Sequence, residues 1–225
     1  MSTPTEPSFP ALRLPASLEP QRPRYLAALR EAIATLERFA REHGWGALVA
    51  SALPSVVEVH PDQAALWQRL REAFALPPDA PLPTPSLAGA VVGDALVVVT
   101  PEAYALVAPR YAAAPGAYVR LLAHELGHRL HVAVVAGDEE AMGPRWFYEG
   151  FAVLASDDLH GLVEVTPADV WAHLDADGDD AYARYGAALR LFTRYVPLRE
   201  IVAAASRTDV RDWLQARLAQ ADAAR

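Results

Sequence analysis

The stretch LLAHELGHRLH, Leu121 to His131, carries three histidines and one glutamate on about three helical turns. His124 and His128 are four residues apart, about 400° around an α-helix, so both imidazoles leave the same face one turn apart. Two nitrogens can then reach one tetrahedral cation without bending the helix. Glu125 lies about 100° around from His124. It can approach a water on such a cation without occupying a ligand position, which is what a general base needs. Leu121, Leu122, Leu126 and Leu130 pack the other sides, and Gly127 leaves room for a second backbone or a substrate. The alternative is a buried helix with two hydrogen-bonded histidines and no metal.

A catalytic zinc site needs a third protein ligand and leaves the fourth position to water. His131 is nearest in sequence. Ligands at i, i+4 and i+7 of one straight helix spread over about 10 Å, too far for bonds of about 2 Å to one ion. A glycine break three residues past the second histidine would solve this, but His131 itself stands there. His131 therefore reads as a helix-surface residue or a support for a ligand. The other solution takes a carboxylate from a second helix. GPRWFYEGFAVLAS, 143–156, sets Glu149 among Trp146, Phe147, Phe151 and Leu154. A carboxylate in such company is costly to bury unpaired, and a cation is the simplest partner. Gly150 would permit the two helices to cross closely. Glu139 and Glu140 in the preceding loop are alternatives, as is a Glu149 that is exposed or paired with an arginine.

Working outward, residues 1–20 read as a Pro-rich flexible arm. An N-terminal region follows over 21–76. In it Tyr25, Leu29, Ile33, Leu36 and Phe39 recur at helical spacing, SVVEVH (55–60) suits a strand, and Leu66, Leu70 and Phe74 mark a second helix. The segment 77–85 holds five prolines in nine residues and reads as a linker. Residues 86–225 form the remaining unit. LAGAVVGDALVVVT predicts a hairpin about Gly93-Asp94. Helices are expected near 117–136, 144–158, 167–174, 180–195, 198–206 and 209–221, with Pro144, Pro167 and Pro197 in first turns. Strands come early and helices late, so the fold class is α+β.

Composition narrows the chemistry. The chain has 225 residues, a formal net charge of −8 and no cysteine. Thiolate sites, disulfides and cysteine nucleophiles are excluded, so any metal is held by histidine and carboxylate. The charge argues against nucleic acid and anionic membranes as partners. The N-terminus has neither a basic region nor an apolar run, and no stretch approaches about 18 apolar residues, so a soluble, cytoplasmic protein is expected.

HELGH followed by Glu149, 21 residues after His128 and within WFYEGFA, resembles the gluzincin metallopeptidases. In the thermolysin-like, aminopeptidase-N-like and small bacterial peptidase MA-like members, a HExxH helix precedes a helix bearing W-x-x-E-G-x-A. Trp146, Glu149, Gly150 and Ala152 match that pattern. The resemblance covers about residues 86–205. It implies a zincin-like fold with a small β-sheet subdomain, an edge strand over the active-site helix, and a mostly helical C-terminal subdomain. It also implies Zn2+ on His124, His128 and Glu149, Glu125 as general base, and a peptide or protein substrate. A strand within Ala88–Val92 would pair with extended substrate. An oxyanion donor is expected from DAYARYGAALRLFTRYV, as Tyr182 or Tyr185. Those tyrosines also share a stripe with Leu189 and Phe192, which suits a core. His160 and His173 are further candidates. Competing readings are a non-catalytic zinc-stabilised binding or regulatory module, and a zinc hydrolase acting on a non-peptide amide. DADGDD, 175–180, lacks the glycine and acidic positions of a calcium loop and reads as an acidic turn. Asp157 and Asp158 end the Glu149 helix, facing solvent or a ligand histidine.

Overall fold

The computed structural model describes residues 9–81, 87–158, 163–176 and 178–223. In chain order its elements are β1 (Ala11–Arg13), α1 (Arg22–Glu42), α2 (Val49–Ala52), β2 (Val56–His60) and α3 (Gln63–Ala73). Next come β3 (Gly89–Val92), β4 (Ala95–Val99), α4 (Pro101–Val107), α5 (Pro109–Ala112) and α6 (Ala117–Val134). Then follow α7 (Arg145–Ala155), α8 (Val170–Asp175), α9 (Ala181–Phe192), α10 (Leu198–Ala204) and α11 (Val210–Ala223). The architecture is α+β, with one four-stranded sheet in the order β1-β2-β4-β3. β1, β2 and β4 run parallel, and β3 is an antiparallel edge strand.

The sheet is covered on both faces, and β4 is buried along its whole length. Period-two alternation divides its residues. Val57, Val59, Leu96 and Val98 join α1, α6, α7 and the C-terminal helices in the larger core. Val97 and Val99 face Leu66, Trp67 and Leu70 of α3 and Tyr104 of α4 in the smaller one. The hairpin about Gly93-Asp94 forms as expected, with Ala90 opposite Val97.

Four expectations change. Within the Pro-rich arm, residues 9–20 are built into the fold. Ala11–Arg13 pair with Val56–Glu58, and Leu12, Leu14 and Leu18 pack on the larger core. Part of the 77–85 segment lies outside the described residues, but the chain on its two sides shares one sheet and one core. β2 pairs with β4, and Tyr25, Leu29 and Leu36 of α1 cluster with Leu122, Leu126 and Leu130 of α6. α4 and α5 were not expected. Thr100 caps α4 by accepting from the Ala103 amide at 3.2 Å, with Pro101 in the first turn. Pro167 precedes α8 by a turn instead of opening it.

His131 is a fifth correction. It is fully buried, stacked on Phe151 at 4.3 Å and edge-on to Phe147 at 5.4 Å. Neither ring nitrogen has a hydrogen-bond partner. It is a core residue between α6 and α7 and, among the described residues, holds no candidate ligand by a hydrogen bond. Burial, and next the charge of His128, push its pKa down from 6.5 to about 3. The folded state therefore holds it neutral while the unfolded chain protonates below pH 6.5. Its contribution is complete above that pH and is lost as pH falls toward 3, at about 1.4 kcal/mol per pH unit. Replacing His131 with Phe should remove this term. Urea unfolding at pH 8 and pH 5 should show the variant gaining about 2 kcal/mol relative to wild type at the lower pH.

Candidate metal centre

α6 and α7 meet at a contact that only small residues allow. A Cβ on Gly127 would lie 3.0 Å from the Ala155 Cβ and 3.2 Å from the Ala152 Cα. This is the close approach expected of Gly127, and it accounts for the alanine of the WFYEGFA segment. Gly150 serves a different neighbour from the one expected. A Cβ there would meet the Tyr185 carbonyl oxygen of α9 at 2.8 Å, so Gly150 fits α7 against α9 and not against α6.

This crossing brings the three candidate ligands together. His124 Nε2 lies 3.2 Å and His128 Nε2 3.3 Å from Glu149 Oε2, and the two imidazole nitrogens are 3.1 Å apart. Four ligands about 2.0–2.1 Å from a tetrahedral zinc are separated from one another by about 3.3–3.4 Å. The triangle thus has the dimensions of one face of a zinc tetrahedron. Among the described residues these three form the one group of histidine and carboxylate ligands placed so that it could hold a metal ion. Glu139 and Glu140 stay outside it, with Glu139 on the wall of the neighbouring groove.

The electrostatics suit a divalent ion. Burial pushes the Glu149 carboxyl up, but its hydrogen bonds to His124 and His128 outweigh this and hold it at about 2. For His124 burial works downward, and the Glu149 carboxylate more than reverses it, so the net shift is upward. Burial raises Glu125, with Glu149 adding to the rise and the two histidines opposing it.

Glu125 points to a different neighbour, the edge strand. A Cβ on Gly89 would lie 2.9 Å from Glu125 Oε1, so this glycine makes the space the carboxylate occupies. Sequence reasoning did not single out Gly89, although a glycine inside a strand signals close approach. The expected edge, Ala88–Val92, corresponds to β3. The Val99 amide donates to the Ala88 carbonyl at 2.9 Å. Antiparallel alternation from that bond turns the backbone polar groups of Gly89 and Val91 away from β4. Two hollows flank Glu125. One of about 90 Å³ is lined by Gly89, Tyr104, Tyr111, Leu121, His124 and Tyr182. The other, a groove of about 840 Å³, runs between Ala90, Val91 and Gly93 on one wall and His128, Arg129 and Tyr148 on the other.

The two tyrosines separate. Tyr182 sits with its ring centroid 5.6 Å from that of His124, lines the small hollow, and shares a second hollow with Arg145. Burial, then the nearby Glu149 and Glu125, raise its pKa. Tyr185 packs against the larger core. Tyr148 was not anticipated. Its ring lies 6.0 Å from His128 on the groove side. His173 approaches Asp169 at 3.9 Å, and His160 lies outside the described residues. Asp157 is largely exposed, and Asp158 lines the small hollow together with His124. They approach Arg38 at 3.5 Å and Arg120 at 3.0 Å. In the acidic turn, Asp175 binds Arg211 at 2.8 Å and Asp180 binds Arg184. Arg211 also lies over Trp171 at 4.7 Å, more than the ordinary surface charge it resembles in sequence.

Comparison with protein-family models, with curated proteins and with solved structures finds no match for the chain. No helix of the described residues is long and apolar enough to cross a membrane.

Zinc at about 100 times its dissociation constant should stabilise the chelator-treated protein by about 2.7 kcal/mol, roughly 5–10 °C in melting temperature. Glu149→Ala and His128→Ala should abolish that shift, while Glu139→Ala should keep it. Thermal melts with and without zinc and chelator provide the check.

Proposed function

We propose that this protein is a zinc-dependent peptidase of gluzincin type, built on a zincin-like fold. The observation that carries the reading is the triangle of 3.1–3.3 Å separations among His124, His128 and Glu149, donated by two crossing helices. The donor set, two imidazoles and one carboxylate, is that of catalytic zinc and leaves one position open. When bound, zinc supplies a Lewis acid that polarises a carbonyl and makes water nucleophilic near neutral pH.

The chain's own residues would do the rest. Glu125 carries a carboxylate beside the cluster and outside it. It would accept the proton of the attacking water and return it to the departing nitrogen. The Tyr182 phenol, beside His124, would donate to the oxygen on which negative charge develops. β3 turns the backbone groups of Gly89 and Val91 away from β4, where an extended peptide would pair with them as an added strand. The open groove and the presence of Glu125 favour catalysis over a zinc site kept only for stability, which would be closed by a fourth protein ligand.

Incubation of the zinc-loaded protein with a peptide library, followed by mass spectrometry, tests the reading. Cleavage should stop with chelator. Glu125→Gln should retain zinc and lose about 10²–10⁴-fold in kcat. Tyr182→Phe should lose about 10²-fold in kcat with KM little changed. Gly89→Ala should displace the Glu125 carboxylate and lower kcat without lowering zinc affinity. A Glu125→Gln protein that cleaves as fast as wild type would overturn the assignment.

A further inference from the structure

Arg129 follows the second histidine directly, yet it points away from the metal cluster. Its Nε donates to the Ala52 carbonyl at 2.7 Å, and Nη1 donates to the Gly93 carbonyl at 3.0 Å. Nη2 donates to the Leu53 carbonyl at 3.3 Å and to Asp94 Oδ1 at 2.8 Å. The side chain is 13% exposed, with its bonds to Ala52 and Leu53 part-buried and those to Gly93 and Asp94 at the surface. Asp94 is fixed from its other side as well. Its carbonyl accepts from the Ser55 amide at 3.0 Å and from the Ser55 hydroxyl at 3.3 Å.

One guanidinium therefore ties three parts of the chain: the metal helix α6, the end of α2, and the turn between β3 and β4. Among the described residues β3 is an edge strand whose only sheet partner is β4. At its start, Gly89 rests against Glu125, and past its end the turn is clamped by Arg129. Glu125 and Arg129 are one helical turn apart on α6. The strand is thus gauged against one face of the helix at two points, and the groove opens between them. An arginine suits this task because its planar fork serves several acceptors at once, which a lysine cannot.

We propose that Arg129 is a positioning residue that sets the spacing and register of the β3 edge relative to the metal helix, and so aligns extended substrate with Glu125. The alignment half of this rests on the peptidase reading. The tethering half does not.

Arg129→Met and the milder Arg129→Lys separate these points, with Asp94→Ala removing a single bond of the set. Amide hydrogen exchange followed by mass spectrometry should show peptides covering 87–99 exchanging about tenfold faster or more in Arg129→Met. Peptides covering 117–134 should keep their protection, and zinc stoichiometry should stay at one per chain. Asp94→Ala and Arg129→Lys should fall between wild type and Arg129→Met. In activity, KM for end-blocked decapeptides should rise about tenfold or more, while end-blocked dipeptides, too short to run along β3, change little. Unchanged exchange over 87–99 overturns the tether. Faster exchange with an equal KM change for long and short substrates overturns the alignment role. If wild type cleaves no peptide, the peptidase reading and the alignment role fall together, and the exchange result still decides the tether.

Discussion

Everything about the site depends on a crowded contact: one carboxylate and two imidazoles whose ligand atoms stand 3.1–3.3 Å apart between two crossing helices. Such a group is not cheap to assemble. Burial disfavours the ionised carboxylate, and only the imidazoles or a cation compensate. The helices can come this near because Gly127 faces Ala152 and Ala155, so backbone meets methyl where larger side chains would hold the axes apart. The same contact explains why His131 is apolar in its surroundings. One turn beyond the ligands, the space between α6 and α7 is filled by Phe147 and Phe151, and an imidazole there has rings for neighbours and no acceptors.

α6 serves two neighbours with two faces. His124 and His128 turn to α7, while Glu125 and Arg129 turn to the sheet edge. Helical geometry makes the division unavoidable, since residues one position apart point about 100° from each other. Glu125, the proposed proton acceptor, is thereby carried by the same rigid rod as two candidate ligands, with no loop between them to loosen their relation.

The parts legible in the sequence were those governed by short-range periodicity. The four-residue spacing of His124 and His128 puts both rings on one face of a helix, and Glu149 amid aromatic residues on a second helix marked a carboxylate in need of a partner. The Gly93-Asp94 turn was equally local. What could not be read depended on contacts between distant segments. β1 is three residues long, and it exists because Val56–Glu58 lie beside it. Gly89 and Arg129 acquire their roles from neighbours 36 residues away in sequence, and nothing in either local stretch names the other. Gly150 was assigned to the wrong helix for a related reason. A small residue announces that something approaches, but not what. α4 is a different case, for its Thr-Pro cap was visible and simply went unread.

The joint core has a consequence for protein engineering. Leu122, Leu126 and Leu130 of the histidine-bearing helix are covered by Tyr25, Leu29 and Leu36, and the inner edge of β4 is satisfied by β2. Excising the chain from about residue 86 onward would strip that cover, leaving a bare strand edge and a greasy helix flank, both invitations to aggregate. The histidine–glutamate motif is therefore not a portable cassette. Grafting it onto another scaffold requires a replacement for the first third of this molecule as well.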